Sequence, residues 1–275
     1  MQNIIYNESC LQTMERMSDN GIKVDLVITS PPYDDMRKYK GKSDFNFEET
    51  AEHLYYIIAD GGVVVWVVGD QFKDGSETCT SFKQALYFRE VGFNLYDTMI
   101  YQKNGTGAVG SNKQYFQSFE YMFVFSKGTP KTINLIKDVR GKYGSKKSTN
   151  IGRRDKNDKN TRGGKPIVLK EYCRRPNIWL YSVGWQLSAK DKVAFEHPAI
   201  FPEKLARDHI ISWSNEGDTI YDPFMGSGTT AKVARDMNRM FIGSEINEDY
   251  CNIIQKRLCT PDLFSCPEYH NYIYK

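Results

Sequence analysis

Residues 218–246 read DTIYDPFMGSGTTAKVARDMNRMFIGSEI, and few folds accommodate such a string. TIYDPF opens with a short β-prone run, MGSG is a flexible turn, and TTAKVARDM sets Ala231, Val233, Ala234 and Met237 on one helical face. RMFIGSEI is a second strand ending in an acid. Strand, glycine turn, helix and strand in about 30 residues make a βαβ unit, whose two strands must lie parallel in a sheet covered by helices.

The rest of the chain keeps the same rhythm. NIIY is a first strand, and Ser9 with Gln12 forms an S-x-x-Q capping box that opens a helix through Leu11, Met14 and Met17, ended by Asp19, Asn20 and Gly21. VDLVI (24–28) is a buried strand and FEETAEHLYYII (47–58) a helix broken by Asp60, Gly61 and Gly62. VVVWVVGD (63–70) is the strongest strand signal. A helix at SFKQALYFREVG and strands at NLYDTMIYQK and YMFVFSKG follow. This alternation predicts an α/β fold with a doubly wound, mostly parallel sheet. His53 and His209 fall inside helical patterns as surface or packing residues, and Asp70 ends its strand as either a cap or a crevice acid.

Residues 128–175 interrupt the pattern with Gly, Ser, Asn, Lys and Arg. The net charge of +3 conceals an asymmetry: 131–175 carries 15 Lys or Arg against 4 Asp or Glu, a net of +11, and the remainder carries −8. Such a segment cannot build a core; it is either a solvated loop or an arm that neutralises phosphates, with Lys146, Lys147, Arg153, Arg154 and Lys156 as the candidate contacts. Aromatic residues in NIWLYSVGW (177–185) either anchor it to the sheet or touch bases. The expected organisation is a catalytic half at 1–127, a basic insert at 128–196 and a ligand-binding half at 197–275. No apolar run spans a bilayer, no signal peptide is evident, and six cysteines without a CxxC pair or a zinc-type spacing suit a reducing cytoplasm.

The ligand chemistry follows from the βαβ unit. Gly226 and Gly228 let the backbone approach a ligand, and the helix behind them presents unpaired amides. Glu245, 17 residues past Gly228, is placed to accept the hydroxyls of a ribose. The third glycine of the dinucleotide fingerprint is missing, and no Gly-Lys-Ser/Thr follows, so a ligand with a ribose but no phosphate fits better.

DPFMGSGTT, comprising Asp222, Pro223, Phe224, Gly226, Ser227, Gly228, Thr229 and Thr230, closely resembles the cofactor motif of S-adenosylmethionine-dependent DNA amino-methyltransferases. TSPPY (29–33) resembles their (D/N/S)PP(Y/F) catalytic motif. The catalytic motif precedes the cofactor motif by about 190 residues with a basic insert between them, a permuted order similar to the β-class of that family. The resemblance covers nearly the whole chain. It implies a Rossmann-like methyltransferase fold, S-adenosyl-L-methionine as cofactor and double-stranded DNA as substrate. It also places His197, Pro198, Ala199, Phe201 and Pro202 along one side of the cofactor pocket with Leu205 beneath, and Asp222 as a loop-ordering residue or a contact for the methionine amino group. A homodimer and a cognate restriction endonuclease are partners that it admits.

Within that resemblance the two prolines of TSPPY, directly after the strand VDLVI, acquire a purpose. A base amino group conjugated into its ring is a poor nucleophile, and acceptors that draw on its N–H hydrogens favour a more tetrahedral nitrogen. Ser30 Oγ and the Pro31 carbonyl are the candidate acceptors. Pro31 restricts Ser30 to extended backbone, Pro32 does the same to Pro31, and Tyr33 is placed to stack on a flipped base. Serine before Pro-Pro favours cytosine N4 as target, with adenine N6 as the alternative. A Rossmann-like DNA-binding protein without catalysis is the reading from another class. The chain departs from the family after its first strand, where Asn7, Glu8 and Ser9 stand in place of a common acid; either Glu8 or Ser9 takes that role.

Overall fold

The computed structural model describes residues 3–32, 45–104, 115–142, 144, 147–148, 153–154, 160–161, 167–259 and 272–274. The chain forms two compact units, one of residues 1–134 with 177–275 and the other of residues 135–176. Among the described residues, no helix is long and apolar enough to cross a membrane.

The larger unit is built on a nine-stranded sheet: β1 (Ile4–Tyr6), β2 (Val24–Thr29), β3 (Ile58–Val68), β4 (Asn94–Asn104), β5 (Phe119–Ser126), β6 (Ile178–Ser182), β7 (Thr219–Asp222), β8 (Met240–Ser244) and β9 (Ile273–Tyr274). Their order is β6-β4-β5-β3-β2-β7-β8-β1-β9. Only β5 runs against its neighbours β3 and β4; every other pairing is parallel. The expected doubly wound, mostly parallel α/β sheet is therefore present.

Helices α1 (Cys10–Asp19), α2 (Phe47–Ile57) and α3 (Thr80–Val91) supply Met14, Met17, Leu54, Ile57 and Phe88 to a core shared with Trp66 and Phe125 of the sheet. Phe88 stacks on Phe125 at 4.5 Å and meets Trp66 edge-on at 5.1 Å, geometry that adds to area burial. Helices α4 (Glu203–Trp213), α5 (Thr229–Asp236) and α6 (Glu248–Cys259) complete the wrapping, with α4 packed on β2 and on α5.

The capping box of α1 forms as expected: Gln12 N–H donates to Ser9 Oγ at 3.3 Å, and Ser9 N–H to Gln12 Oε1 at 3.1 Å. β3 begins earlier than the sequence suggested. It starts at Ile58, directly after α2, and runs through Asp60, Gly61 and Gly62 because a register shift against β2 and a positive φ of 75° at Gly61 absorb the irregularity. IWLYS, read as the far edge of the basic insert, forms β6 beside β4, with Trp179 and Tyr181 turned inward. His209 is fully buried against Trp179, and His53 sits half-buried on α2.

Among its described residues the smaller unit holds three two-residue antiparallel pairs, nested in sequence: 139–140 with 172–173, 147–148 with 167–168, and 153–154 with 160–161.

Candidate functional site

Parallel strands deliver their carboxyl ends to one rim, and two neighbouring strands carry the two motifs there. β2 pairs with β7 through Leu26 with Ile220 and Val27 with Tyr221, so Thr29 and the Ser30-Pro31-Pro32 corner emerge beside Asp222. Thr29 Oγ1 donates to Asp222 Oδ1 at 2.7 Å. The same Oδ1 accepts the Phe224 amide at 3.0 Å, and Oδ2 accepts Thr230 Oγ1 at 2.7 Å. One carboxylate thus gathers the corner, the turn and the first residues of α5. Pro31 is buried, while Ser30 and Pro32 are half-buried.

The glycine turn is anchored on its other side by β8. Glu245 follows that strand; its Oε2 accepts the Gly226 amide at 2.8 Å and its Oε1 the Asn247 amide at 2.9 Å. Asn7, at the end of β1, donates Nδ2 to the Glu245 carbonyl at 2.8 Å. Gly226 and Gly228 have φ of 55° and 80°, and a Cβ on Gly228 would meet Ile254 at 2.9 Å, so both positions need glycine.

Burial dominates the electrostatics. Desolvation raises the Asp222 carboxyl to about 6 against the hydrogen bonds from Thr29, Thr230 and Phe224. It raises Glu245 to about 7 against those from the Asn247 and Gly226 amides, with the negative charge of Asp222 adding to the rise. Both groups bind protons more tightly folded than unfolded. Their contribution to stability is therefore full below pH 4 and is lost as pH rises through about 6 and about 7. Denaturant titrations of the ligand-free protein between pH 4 and 8 should show this decline, shallower in Glu245→Gln; an identical slope in that variant would contradict it.

Of the segment before α4, His197 is brought to the turn. Its ring is buried, accepts or donates at Nδ1 to the Ala199 backbone, and lies 3.1 Å from where a Cβ on Gly226 would stand. Pro198 is exposed, Ala199 and Phe201 are half-buried, Pro202 is the N-cap of α4, and Leu205 is fully buried. Asp70 is a cap: its carboxylate accepts the Ser81 amide at 2.9 Å and the Ser81 hydroxyl. Glu8 and Ser9 both serve α1. The Glu8 carboxylate takes Thr13 and Arg16, and the Ser9 hydroxyl is the N-cap. Tyr33, Lys146 and Lys156 lie outside the described residues, as do the side chains of Lys147, Arg153 and Arg154.

Two contributors were missed in the sequence. Thr29 belongs to TSPPY, but nothing in the sequence pairs it with Asp222. Arg257 of α6 lies wholly buried, and its Nη1 donates to the Ser227 carbonyl at 2.6 Å, to Ser227 Oγ at 3.1 Å and to Thr229 Oγ1 at 3.1 Å. Its Nη2 reaches Glu203 at 2.8 Å and Asp191 at 3.1 Å. Although burial pushes the Asp191 carboxyl up, the charge and hydrogen bonds of Arg257 outweigh this and hold it below its ordinary value. A signal existed: Ile253, Ile254, Arg257 and Leu258 follow one helical face, so a cation interrupts an apolar stripe. Arg257→Met should destabilise the protein by about 1–3 kcal/mol in denaturant titrations, because Ser227 and Thr229 lose a buried donor while the half-buried Asp191 and Glu203 keep Lys232 as their cation; a loss below about 0.5 kcal/mol would reduce the network to an incidental contact.

The family model described as DNA methylase, of the N6/N4 group, matches residues 24–256. Over 236 residues, 86% of this chain and 88% of the relative, the sequence is 58% identical to the orphan methyltransferase M.BamHII of Bacillus amyloliquefaciens. Among solved structures, the M1.HpyAVI–SAM complex aligns with a TM-score of 0.63 at 22% identity, covering 93% of this chain and 98% of that one. The PvuII DNA methyltransferase (cytosine-N4-specific) aligns with a TM-score of 0.62 at 20% identity, covering 95% and 87%. At those identities the structural likeness is one of fold.

Proposed function

The chain belongs to the N6/N4 DNA methylase family, and from that premise we propose that it transfers a methyl group from S-adenosylmethionine to the exocyclic N4 of a cytosine extruded from duplex DNA. The observation that carries this reading is the hydrogen bond from Thr29 to Asp222, which joins the acceptor corner and the cofactor turn into one site.

The residues fit the cofactor. Among the described residues, the groups that act on Asp222 and Glu245 are hydroxyls, backbone amides and other acids, so two buried carboxylates face the turn without a cation to neutralise them. A ligand bearing an ammonium and a positively charged sulfur answers that deficit. Glu245 would hold the ribose hydroxyls, Asp222 would order the turn at the methionine end, and His197 would close the side against Gly226. Bound there, the cofactor supplies an electrophilic methyl group.

The chain's own residues prepare the nucleophile. Ser30 Oγ and the Pro31 carbonyl accept the two N–H hydrogens of the base amino group, drawing its lone pair out of conjugation with the ring. Pro31 and Pro32 hold these oxygens in extended backbone that is set before the base arrives, so the alignment costs little at the moment of reaction. Tyr33 stacks on the extruded ring. Ser30 is also the feature that favours cytosine, since serine precedes Pro-Pro more often in the cytosine group than in the adenine group.

The basic smaller unit is assigned to DNA. Residues 135–176 carry 14 Lys or Arg against 4 Asp or Glu, a net of +10 that supplies phosphate affinity, and paired antiparallel strands are among the elements that the major groove admits. Neutralising Arg153, Arg154 and Lys156 together should weaken DNA binding and lower the slope of log K against log salt by about 2–3. An unchanged slope would return the segment to a solvated loop.

The test of the reaction is mass spectrometry of nucleosides from sequence-diverse DNA incubated with the protein and S-adenosylmethionine. N4-methylcytosine is the expected product. N6-methyladenine would move the target to adenine, and the absence of any methylated base would overturn the catalytic reading.

A further inference from the structure

We infer that Thr29 is a positioning residue for methyl transfer, its hydroxyl carrying the position of the cofactor turn to the Ser30-Pro31 acceptors. This rests on the function proposed above and deepens it.

The backbone register between β2 and β7 runs from Leu26 with Ile220 to Val27 with Tyr221 and goes no further, whereas on its other side β2 stays registered with β3 up to Thr29 itself, opposite Trp66. The end of β2 is thus held by main-chain pairing on the β3 side and by a side-chain bond on the β7 side. That bond joins two buried groups, Thr29 at 1% and Asp222 at 5% exposure, and measures 2.7 Å. Asp222 in turn fixes Phe224 N–H and Thr230 Oγ1, so its carboxylate cannot shift without moving the turn or the start of α5. Ser30 is the next residue along the chain, and the proline after it leaves it little backbone freedom. A displacement at Asp222 therefore reaches Ser30 through one hydroxyl and one peptide unit.

The threonine type matters in two ways. Its β-branch suits the last position of a buried strand, and its hydroxyl donates to an acid whose burial would otherwise be more costly. Valine preserves the shape and the strand propensity and removes only the donor.

Thr29→Val should lower the single-turnover methylation rate about 10- to 100-fold, the range expected for losing a hydrogen bond to a charged group. S-adenosylmethionine affinity, measured by calorimetry at pH 8 where Asp222 is ionised, should stay within about threefold. Thr29→Ser should recover the rate to within about threefold of wild type. The pH midpoint for cofactor binding should rise in Thr29→Val and not in Thr29→Ser, because the lost bond is one that favours the ionised acid. A purely structural threonine would instead lower rate and affinity together, or lower only the melting temperature. If the valine variant does not fold, Thr29→Ala carries the same rate and affinity test. A wild-type rate in Thr29→Val, or a serine variant as slow as valine, overturns the inference while leaving the proposed reaction standing. A wild-type protein that binds the cofactor yet methylates no DNA overturns the reaction itself.

Discussion

Ser30→Ala should cut the single-turnover methylation rate by about 10²- to 10³-fold, equivalent to about 2.7–4 kcal/mol of transition-state stabilisation. The affinity for S-adenosylmethionine should stay within about threefold, since Ser30 lies on the corner after β2 and the glycine turn is held by Asp222, Glu245 and Arg257. The effect is one of differential binding. An acceptor on the amino hydrogens gains strength only as the nitrogen becomes tetrahedral and acidic, so its removal is felt in the chemical step and not in cofactor binding. Stopped-flow or quench measurements with DNA in excess of its dissociation constant isolate that step. A variant with unchanged rate would assign the acceptor role to the Pro31 carbonyl alone.

Glu245→Gln should weaken cofactor binding by about 100-fold and flatten its pH dependence. In the wild-type protein, the cationic ligand favours ionised Asp222 and Glu245, so affinity should rise from pH 5.5 to 8 and binding near pH 6.5 should release protons. The substitution removes one of those charges. It also sets an amide NH₂ against one of the two backbone N–H groups, of Gly226 and Asn247, that the carboxylate now accepts. Calorimetry in two buffers of different ionisation enthalpy measures both effects; equal affinity and equal proton release in the variant would remove Glu245 from the cofactor site.

What the sequence disclosed depended on how local each signal was. The βαβ unit was legible because turn, helix stripe and strand are contiguous, and the capping box at Ser9 and Gln12 because both partners lie within one turn. The proximity of TSPPY to DPFMGSGTT was legible only through the rule that parallel strands bring their carboxyl ends to one rim. Thr29 was hidden for the opposite reason: its partner is 193 residues away, and a threonine ending a strand needs no special explanation. Arg257 reaches the turn from a later helix, where one buried cation among Ile253, Ile254 and Leu258 passes for an ordinary amphipathic break. β9 joins the edge of β1 through the Ile5 and Asn7 amides and escaped notice because two or three residues carry no periodicity.

Asp70 and Glu8 show where acidity alone misleads. Both end or follow strands at the rim, and both are committed to local structure, Asp70 to the start of α3 and Glu8 to Arg16 and Thr13. Asp222 and Glu245 differ in accepting hydroxyl and amide donors on the glycine turn itself, with desolvation raising both toward neutrality. Asp70 is buried as well, so attachment to the glycine turn, more than burial or position at a strand end, is what sets Asp222 and Glu245 apart.

The decisive measurement is a crystal structure of the protein with S-adenosylmethionine and a duplex containing its target. A cytosine is expected outside the helix, its amino nitrogen about 3 Å from both Ser30 Oγ and the Pro31 carbonyl, with the cofactor ribose on Glu245. An amino group held by other acceptors, with Ser30 turned away from the base, would contradict it.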